Sequence, residues 1–149
     1  MIKHIPGDLS VVFSEIPDEI TLAFNISGCQ NRCIGCHTPY LRENIGEELN
    51  ENTLKTYIQK NSGISCVCFM GEGNDHEALI NLAKFIHANF PDLKVALYSG
   101  RVSVEDDMYD VFDYIKVGPY IEALGPLNSK TTNQRLYKHK EDITYKFWK

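Results

Sequence analysis

Gly28-Cys29-Gln30-Asn31-Arg32-Cys33-Ile34-Gly35-Cys36-His37 is the stretch around which the rest of the chain is ordered. It directly follows a predicted strand over 20–26 and holds three of the five cysteines, with three and then two residues between them. A tetrahedral structural zinc site or a fully protein-ligated iron-sulfur cluster takes four soft ligands. Three closely spaced cysteines therefore suggest a metal centre with one coordination position left open.

Outward from this loop, short apolar runs rich in β-branched residues alternate with amphipathic stretches. That alternation predicts parallel β/α units. Strands are expected over 10–13, 20–26, 64–70, 95–99 and 114–117, and a last one over 143–148. One helix is predicted from an Asp75 N-cap through Ala78, Leu79, Leu82, Ala83, Phe85 and Ile86, ending before Pro91. A second begins near Asn50 or Asn52, turns Leu54, Tyr57 and Ile58 inward and ends by Gly63. A third opens at Ser103 with Asp106 three residues on, and buries Met108, Val111 and Phe112. In such a fold the C-terminal strand ends converge on one face. The cysteine loop, Gly71-Glu72-Gly73, Ser99-Gly100-Arg101 and Gly118-Pro119 are thus expected around one site.

At 149 residues the chain suits a single domain, 1–149, with no internal repeat or low-complexity tract. A net charge of -5 argues against a broad nucleic-acid surface. Neither a signal peptide nor a membrane-length apolar segment is visible, and crowded, odd-numbered cysteines do not form a secreted disulfide framework. The expectation is a cytoplasmic protein with reduced thiols and no membrane.

Several residues admit two readings. The three cysteines could form a zinc knuckle completed by His37, although adjacent Cys36 and His37 have difficulty reaching one tetrahedral ion. Cys66 and Cys68 flank Val67 in an apolar strand and face one side, which favours core packing over ligation or redox work. Glu72 either caps the helix at Asp75 or serves a site at the strand end. Asn133, Gln134 and Arg135 form either a solvated turn or a group that holds the C-terminal loop or meets a partner. Tyr98 reads as strand-end packing and Ser99 as the better polar candidate.

With Cys29, Cys33 and Cys36 at this spacing, the chain resembles the radical S-adenosylmethionine superfamily. More narrowly, Gly-Cys-x3-Cys-x-Gly-Cys is similar to the activating proteins of anaerobic, class III ribonucleotide reductases, which share Gly35 before the third cysteine. Met70-Gly71-Glu72-Gly73 resembles their Gly-Gly-Glu-Pro element, with Met70 and Gly73 replacing its first glycine and its proline. Leu97-Tyr98-Ser99-Gly100 is similar to Leu-Tyr-Thr-Gly. Residues 114–120 resemble Val-Leu-Val-Asp-Gly-Pro-Phe, with Val117 in place of the aspartate, and residues 131–136 resemble Ser-Ser-Asn-Gln-Arg-Ile. The likeness runs from Thr21 to Leu136.

The resemblance implies an α/β fold, a partial parallel (β/α) barrel in a single domain. It also implies a 4Fe-4S cluster on Cys29, Cys33 and Cys36, and S-adenosylmethionine on the open iron. Gly71, Glu72, Gly73, Ser99 and His37 would contact that cofactor, Glu72 and Gly71 through its amino group. No protein acid or base is required, because the cofactor carries the radical. The implied partners are an anaerobic ribonucleoside-triphosphate reductase, whose glycine becomes a glycyl radical, and a low-potential electron donor such as flavodoxin. The rivals are an activase of another glycyl radical enzyme, a small radical S-adenosylmethionine enzyme and a non-catalytic metal module.

Overall fold

A computed structural model describes residues 1–28 and 46–148 of the chain. Its strands are β1 (Lys3–His4), β2 (Ser10–Val12), β3 (Thr21–Asn25), β4 (Glu47–Glu48), β5 (Cys66–Met70), β6 (Lys94–Tyr98), β7 (Tyr114–Val117), β8 (Arg135–Lys138) and β9 (Glu141–Asp142). The helices are α1 (Glu51–Lys60), α2 (His76–Asn89) and α3 (Met108–Val111), with 3-10 turns at Pro6–Asp8 and Thr144–Phe147. Among the described residues no helix is long and apolar enough to cross a membrane.

β3, β5, β6 and β7 lie side by side and parallel, in the order in which the chain makes them. Helices α2 and α3 make the crossovers from β5 to β6 and from β6 to β7. β2 adds antiparallel to β3, while β8 and β9 extend the other end antiparallel, giving seven strands in the order β2-β3-β5-β6-β7-β8-β9. β1 and β4 form a separate two-stranded pair. Among the described residues the large sheet is open.

Two helices begin where expected, each for a stated reason. Asn50 Oδ1 accepts the Thr53 N–H at 2.9 Å at the start of α1, and Asp75 Oδ1 accepts that of Ala78 at 3.1 Å at the start of α2. Each side chain satisfies a main-chain donor that the helix leaves unpaired, a contribution of about 1 kcal/mol. The third helix departs from expectation: it spans only Met108–Val111, and Asp107 rather than Ser103 precedes it, with no side-chain cap. The N–H groups of Met108, Tyr109 and Asp110 reach back three residues, to Glu105, Asp106 and Asp107. That tighter winding leaves residues 106–107 as a turn ahead of α3. Met108 and Phe112 are buried, whereas Val111 is half-buried.

The expected strand over 143–148 is also overturned. Thr144 Oγ1 and its N–H both engage the Asp142 carboxylate, and Thr144 Oγ1 also accepts from Leu136 N, so the chain coils into the 3-10 turn at Thr144–Phe147.

Side-chain size divides the sheet's faces. Strand residues alternate between faces, and Leu22, Phe24, Val67, Phe69, Val95, Leu97, Ile115 and Val117 join Leu54, Ile58, Leu79, Leu82, Ala83 and Ile86 in the helix-side core. The opposite face carries smaller groups: Cys66, Cys68 and Ala96, with Tyr114 and Leu136. No helix covers it among the described residues. Instead Ile16 and Ile143, from irregular segments near the two ends of the chain, complete a second core there. Tyr98 Oη donates to the Glu15 carbonyl, Tyr114 Oη to Glu19 Oε2 at 2.6 Å, and Lys146 pairs with Asp18 at 3.1 Å. Cys66 and Cys68 are thus packing residues on this face, as their alternation implied.

Candidate functional site

The C-terminal ends of β3, β5, β6 and β7 come together at one edge of the sheet. Ile26 continues β3 by donating its N–H to the Met70 carbonyl at 3.2 Å, so the chain reaches Gly28 alongside the loop after β5. That loop leaves no room for larger residues. A Cβ on Gly73 would stand 3.0 Å from Ile26 Cγ2 and 3.2 Å from Ile2 Cδ1, and its φ of +67° is one that glycine adopts without strain. Gly71, at φ +121°, would press a Cβ against the Ile26 carbonyl at 3.3 Å. The two glycines let this loop lie against the root of the cysteine segment. Cys29, Cys33, Cys36 and His37 themselves lie outside the described residues.

Glu72, between those glycines, is 8% exposed, and three hydrogen bonds and one histidine ring surround its carboxylate. Arg101 forms a two-toothed pair with it, Nη2 to Oε1 at 2.7 Å and Nε to Oε2 at 2.9 Å. The buried Ser99 hydroxyl donates to Oε2, and His76 Nε2 lies 3.2 Å from Oε1. Burial pushes the Glu72 carboxyl up, but the hydrogen bonds from Arg101 and Ser99, together with the guanidinium charge, outweigh it and hold the group below its ordinary range. Glu72 is therefore an ionised buried carboxylate. It is not the cap of α2, since Asp75 fills that position itself.

Arg101 is itself tied down. Its guanidinium forms a second two-toothed pair with Glu105, at 2.8 and 3.0 Å, and pulls the exposed Glu105 carboxyl down to about 2. Its N–H donates to Ser99 Oγ at 3.1 Å and its carbonyl accepts from Gly118 N. Lys116, buried on β7, donates through Nζ to the carbonyls of Ser99 and Gly118 at 3.1 and 3.0 Å. The loops after β5, β6 and β7 are thereby joined into one network.

Asn133 and Gln134 reach the same edge from the chain leading into β8. Asn133 Nδ2 donates to the Pro119 carbonyl at 3.1 Å and the buried Gln134 to that of Gly118 at 3.4 Å. They hold the loop after β7 and are not a solvated turn. Arg135 instead lies beside Asp142, at 3.7 Å, and the Trp148 ring.

Beside this network, on the sheet face with the smaller side chains, opens a cavity of about 1040 Å³. Lys116, Tyr98 and Gln134 line its inner part, and Glu15, Phe13 and Phe147 its walls. Phe13 is 70% exposed there.

Of the residues singled out from sequence, Gly71, Glu72, Gly73 and Ser99 stand together here. Arg101 was expected at the site through its loop but given no role, and His76, Glu105 and Lys116 were not foreseen there.

Residues 20–137 match the family model described as a 4Fe-4S single cluster domain. No curated protein and no solved structure matches the chain.

Proposed function

The chain belongs to the 4Fe-4S single cluster domain family, and from that membership we propose that it is a radical S-adenosylmethionine activase of an anaerobic ribonucleoside-triphosphate reductase. As an iron-sulfur protein with three clustered cysteines, it has the thiols for three irons of a cubane, while its other two cysteines, Cys66 and Cys68, are buried in β5. Cys29, Cys33 and Cys36 hold the cluster in this reading. The observation that carries the cofactor assignment is Glu72, an ionised, buried carboxylate on the loop packed against Ile26, where the chain leads into the cysteine segment. Such a group suits the ammonium of S-adenosylmethionine. Ser99 fixes its orientation, and Gly71 and Gly73 permit close backbone approach.

Held by Cys29, Cys33 and Cys36, the cluster would supply the electron for reductive cleavage of S-adenosylmethionine, whose adenosyl group would be the acceptor of a hydrogen atom from a glycine α-carbon of the reductase. This chain's residues bind and orient. The buried network at the strand ends excludes water from Glu72, and His37 is assigned to the adenosyl side.

The fold belongs to the same proposal. In this reading the four parallel strands β3, β5, β6 and β7, which follow one another in chain order, are the parallel part of a partial (β/α) barrel. The cavity on the second face supports a substrate that enters from the open side, such as a protein loop. A low-potential donor such as flavodoxin and a cytoplasmic setting complete the reading.

Anaerobic reconstitution with iron and sulfide, reduction, and addition of S-adenosylmethionine with the reductase from the same cell tests it. Released 5'-deoxyadenosine and a glycyl-radical resonance on the reductase are expected. Deoxyadenosine with a silent reductase, and a radical on another glycyl radical enzyme, would leave the chemistry and remove the partner.

A further inference from the structure

The groups around Glu72 raise a question of occupancy. A carboxylate offers about four lone-pair positions; hydrogen bonds from Arg101 take two and one from Ser99 takes a third, while the His76 ring stands beside the fourth, its Nε2 3.2 Å from Oε1. A ligand ammonium that pairs with Glu72 either takes the place beside His76 or breaks one of the three hydrogen bonds.

The donors are not equally held. Ser99 Oγ is fully buried and also accepts the Arg101 N–H. The Arg101 fork is gripped from its far side by Glu105, and its carbonyl is bound by Gly118 N. His76 makes a single contact, the longest of the four at 3.2 Å, from a side chain 46% exposed at the first position of α2. It is the partner most easily replaced.

Charge points the same way. One guanidinium stands between two carboxylates, Glu72 and Glu105, so the trio carries one net negative charge. Arg101 cannot neutralise both, and because Glu105 takes a share of it, Glu72 retains attraction for a cation. Resting on the cofactor reading above, we propose that a ligand's primary ammonium takes the place of His76 on Glu72 Oε1, and that Arg101, shared with Glu105, is the positioning residue that keeps Glu72 aimed and incompletely neutralised.

Equilibrium dialysis of the anaerobic holoprotein against S-adenosylmethionine tests this, with 5'-methylthioadenosine as the probe that lacks the ammonium. Glu105→Gln lets Arg101 pair with Glu72 alone, and S-adenosylmethionine binding should weaken about tenfold. His76→Ala removes the neighbouring ring, and binding should tighten by about two- to fivefold. Arg101→Lys keeps the charge without the fork and should weaken binding less than Arg101→Gln. Affinity for 5'-methylthioadenosine should stay the same throughout, which a loss of folding or of general site shape would not allow. Equal effects on both probes, an unchanged Glu105→Gln, or a large loss in His76→Ala would overturn the inference while leaving the cofactor reading intact. Failure of the wild-type holoprotein to bind S-adenosylmethionine would overturn both.

Discussion

Lys116 and Ser99 are joined across the ends of β7 and β6: the lysine Nζ donates to the serine main-chain carbonyl at 3.1 Å, while the serine hydroxyl donates to Glu72. A single residue thus links the buried ammonium facing the cavity with the buried carboxylate on the other side of the strand end.

Lys116→Met should show how much this joint contributes. The carbonyls of Ser99 and Gly118 would lose a charged donor, and stability should fall by about 1–3 kcal/mol. A urea unfolding series reads this as a lower midpoint with unchanged slope. An unchanged midpoint would mean that other donors satisfy both carbonyls.

Glu72→Gln removes the charge but keeps the shape. Arg101 then lacks its inner carboxylate, and S-adenosylmethionine binding by the reconstituted protein should weaken at least tenfold, since a charge-assisted hydrogen bond is worth about 1.5–3 kcal/mol. Iron and sulfide content should not change. Equal affinity with a complete cluster would make Glu72 a structural residue.

The cysteines should divide into two chemical classes. Alanine at Cys29, Cys33 or Cys36 should abolish reductive cleavage of S-adenosylmethionine, whereas Cys66→Ala should retain it. Burial pushes the Cys66 and Cys68 thiols well up, away from the thiolate form. Both should therefore resist iodoacetamide in the native protein and react in urea, as peptide mass spectrometry will show. Native labelling of Cys66 would contradict its place in the second core.

His4 gives the fold a pH dependence of known sign. Its ring is 1% exposed between Phe24 and Tyr57, and neither ring nitrogen has a hydrogen-bond partner among the described residues. Burial lowers its pKa from 6.5, with Glu47 opposing more weakly. The unfolded chain then binds the proton more readily. The contribution of neutral His4 is complete above pH 6.5 and is lost as pH falls through the lower folded value. Urea midpoints at pH 7.5 and pH 5.5 should differ more for wild type than for His4→Phe. Equal differences would assign the acid sensitivity to other groups.

Sequence pattern located the parallel strands because each is a short apolar run, and α2 because Asp75 and Pro91 bracket a helical period. It missed β8, where Arg135-Leu136-Tyr137-Lys138 buries only Leu136 and so does not read as a strand. The two-residue strands carry too few side chains to show any alternation. Gly71, Glu72 and Ser99 were legible as a site because motif likeness and strand-end position agree. Arg101 was placed at the same strand end by its loop, but its pairing with Glu72 was not legible, because it spans 29 residues and no local pattern encodes it. Lys116 was hidden for another reason: in an apolar strand a lysine reads as an edge residue until the backbone carbonyls that receive it are seen.

The coverings of the two faces differ in when they can form. Helix-side packing is made largely between neighbours along the chain, as each crossover folds back on the strand just completed. The other face waits for partners far apart in sequence: Tyr98 and Glu15 lie 83 residues apart, Tyr114 and Glu19 lie 95 apart, and Asp18 and Lys146 lie 128 apart. Contacts of such separation close slowly, because the entropy of the intervening loop is lost before they form. During synthesis the small-residue side of the sheet, with Cys66 and Cys68 on it, stays only partly covered until Ile143 and the turn at Thr144–Phe147 join Ile16 on it. Oxidants therefore have easier access to these two thiols in the nascent chain than in the folded protein.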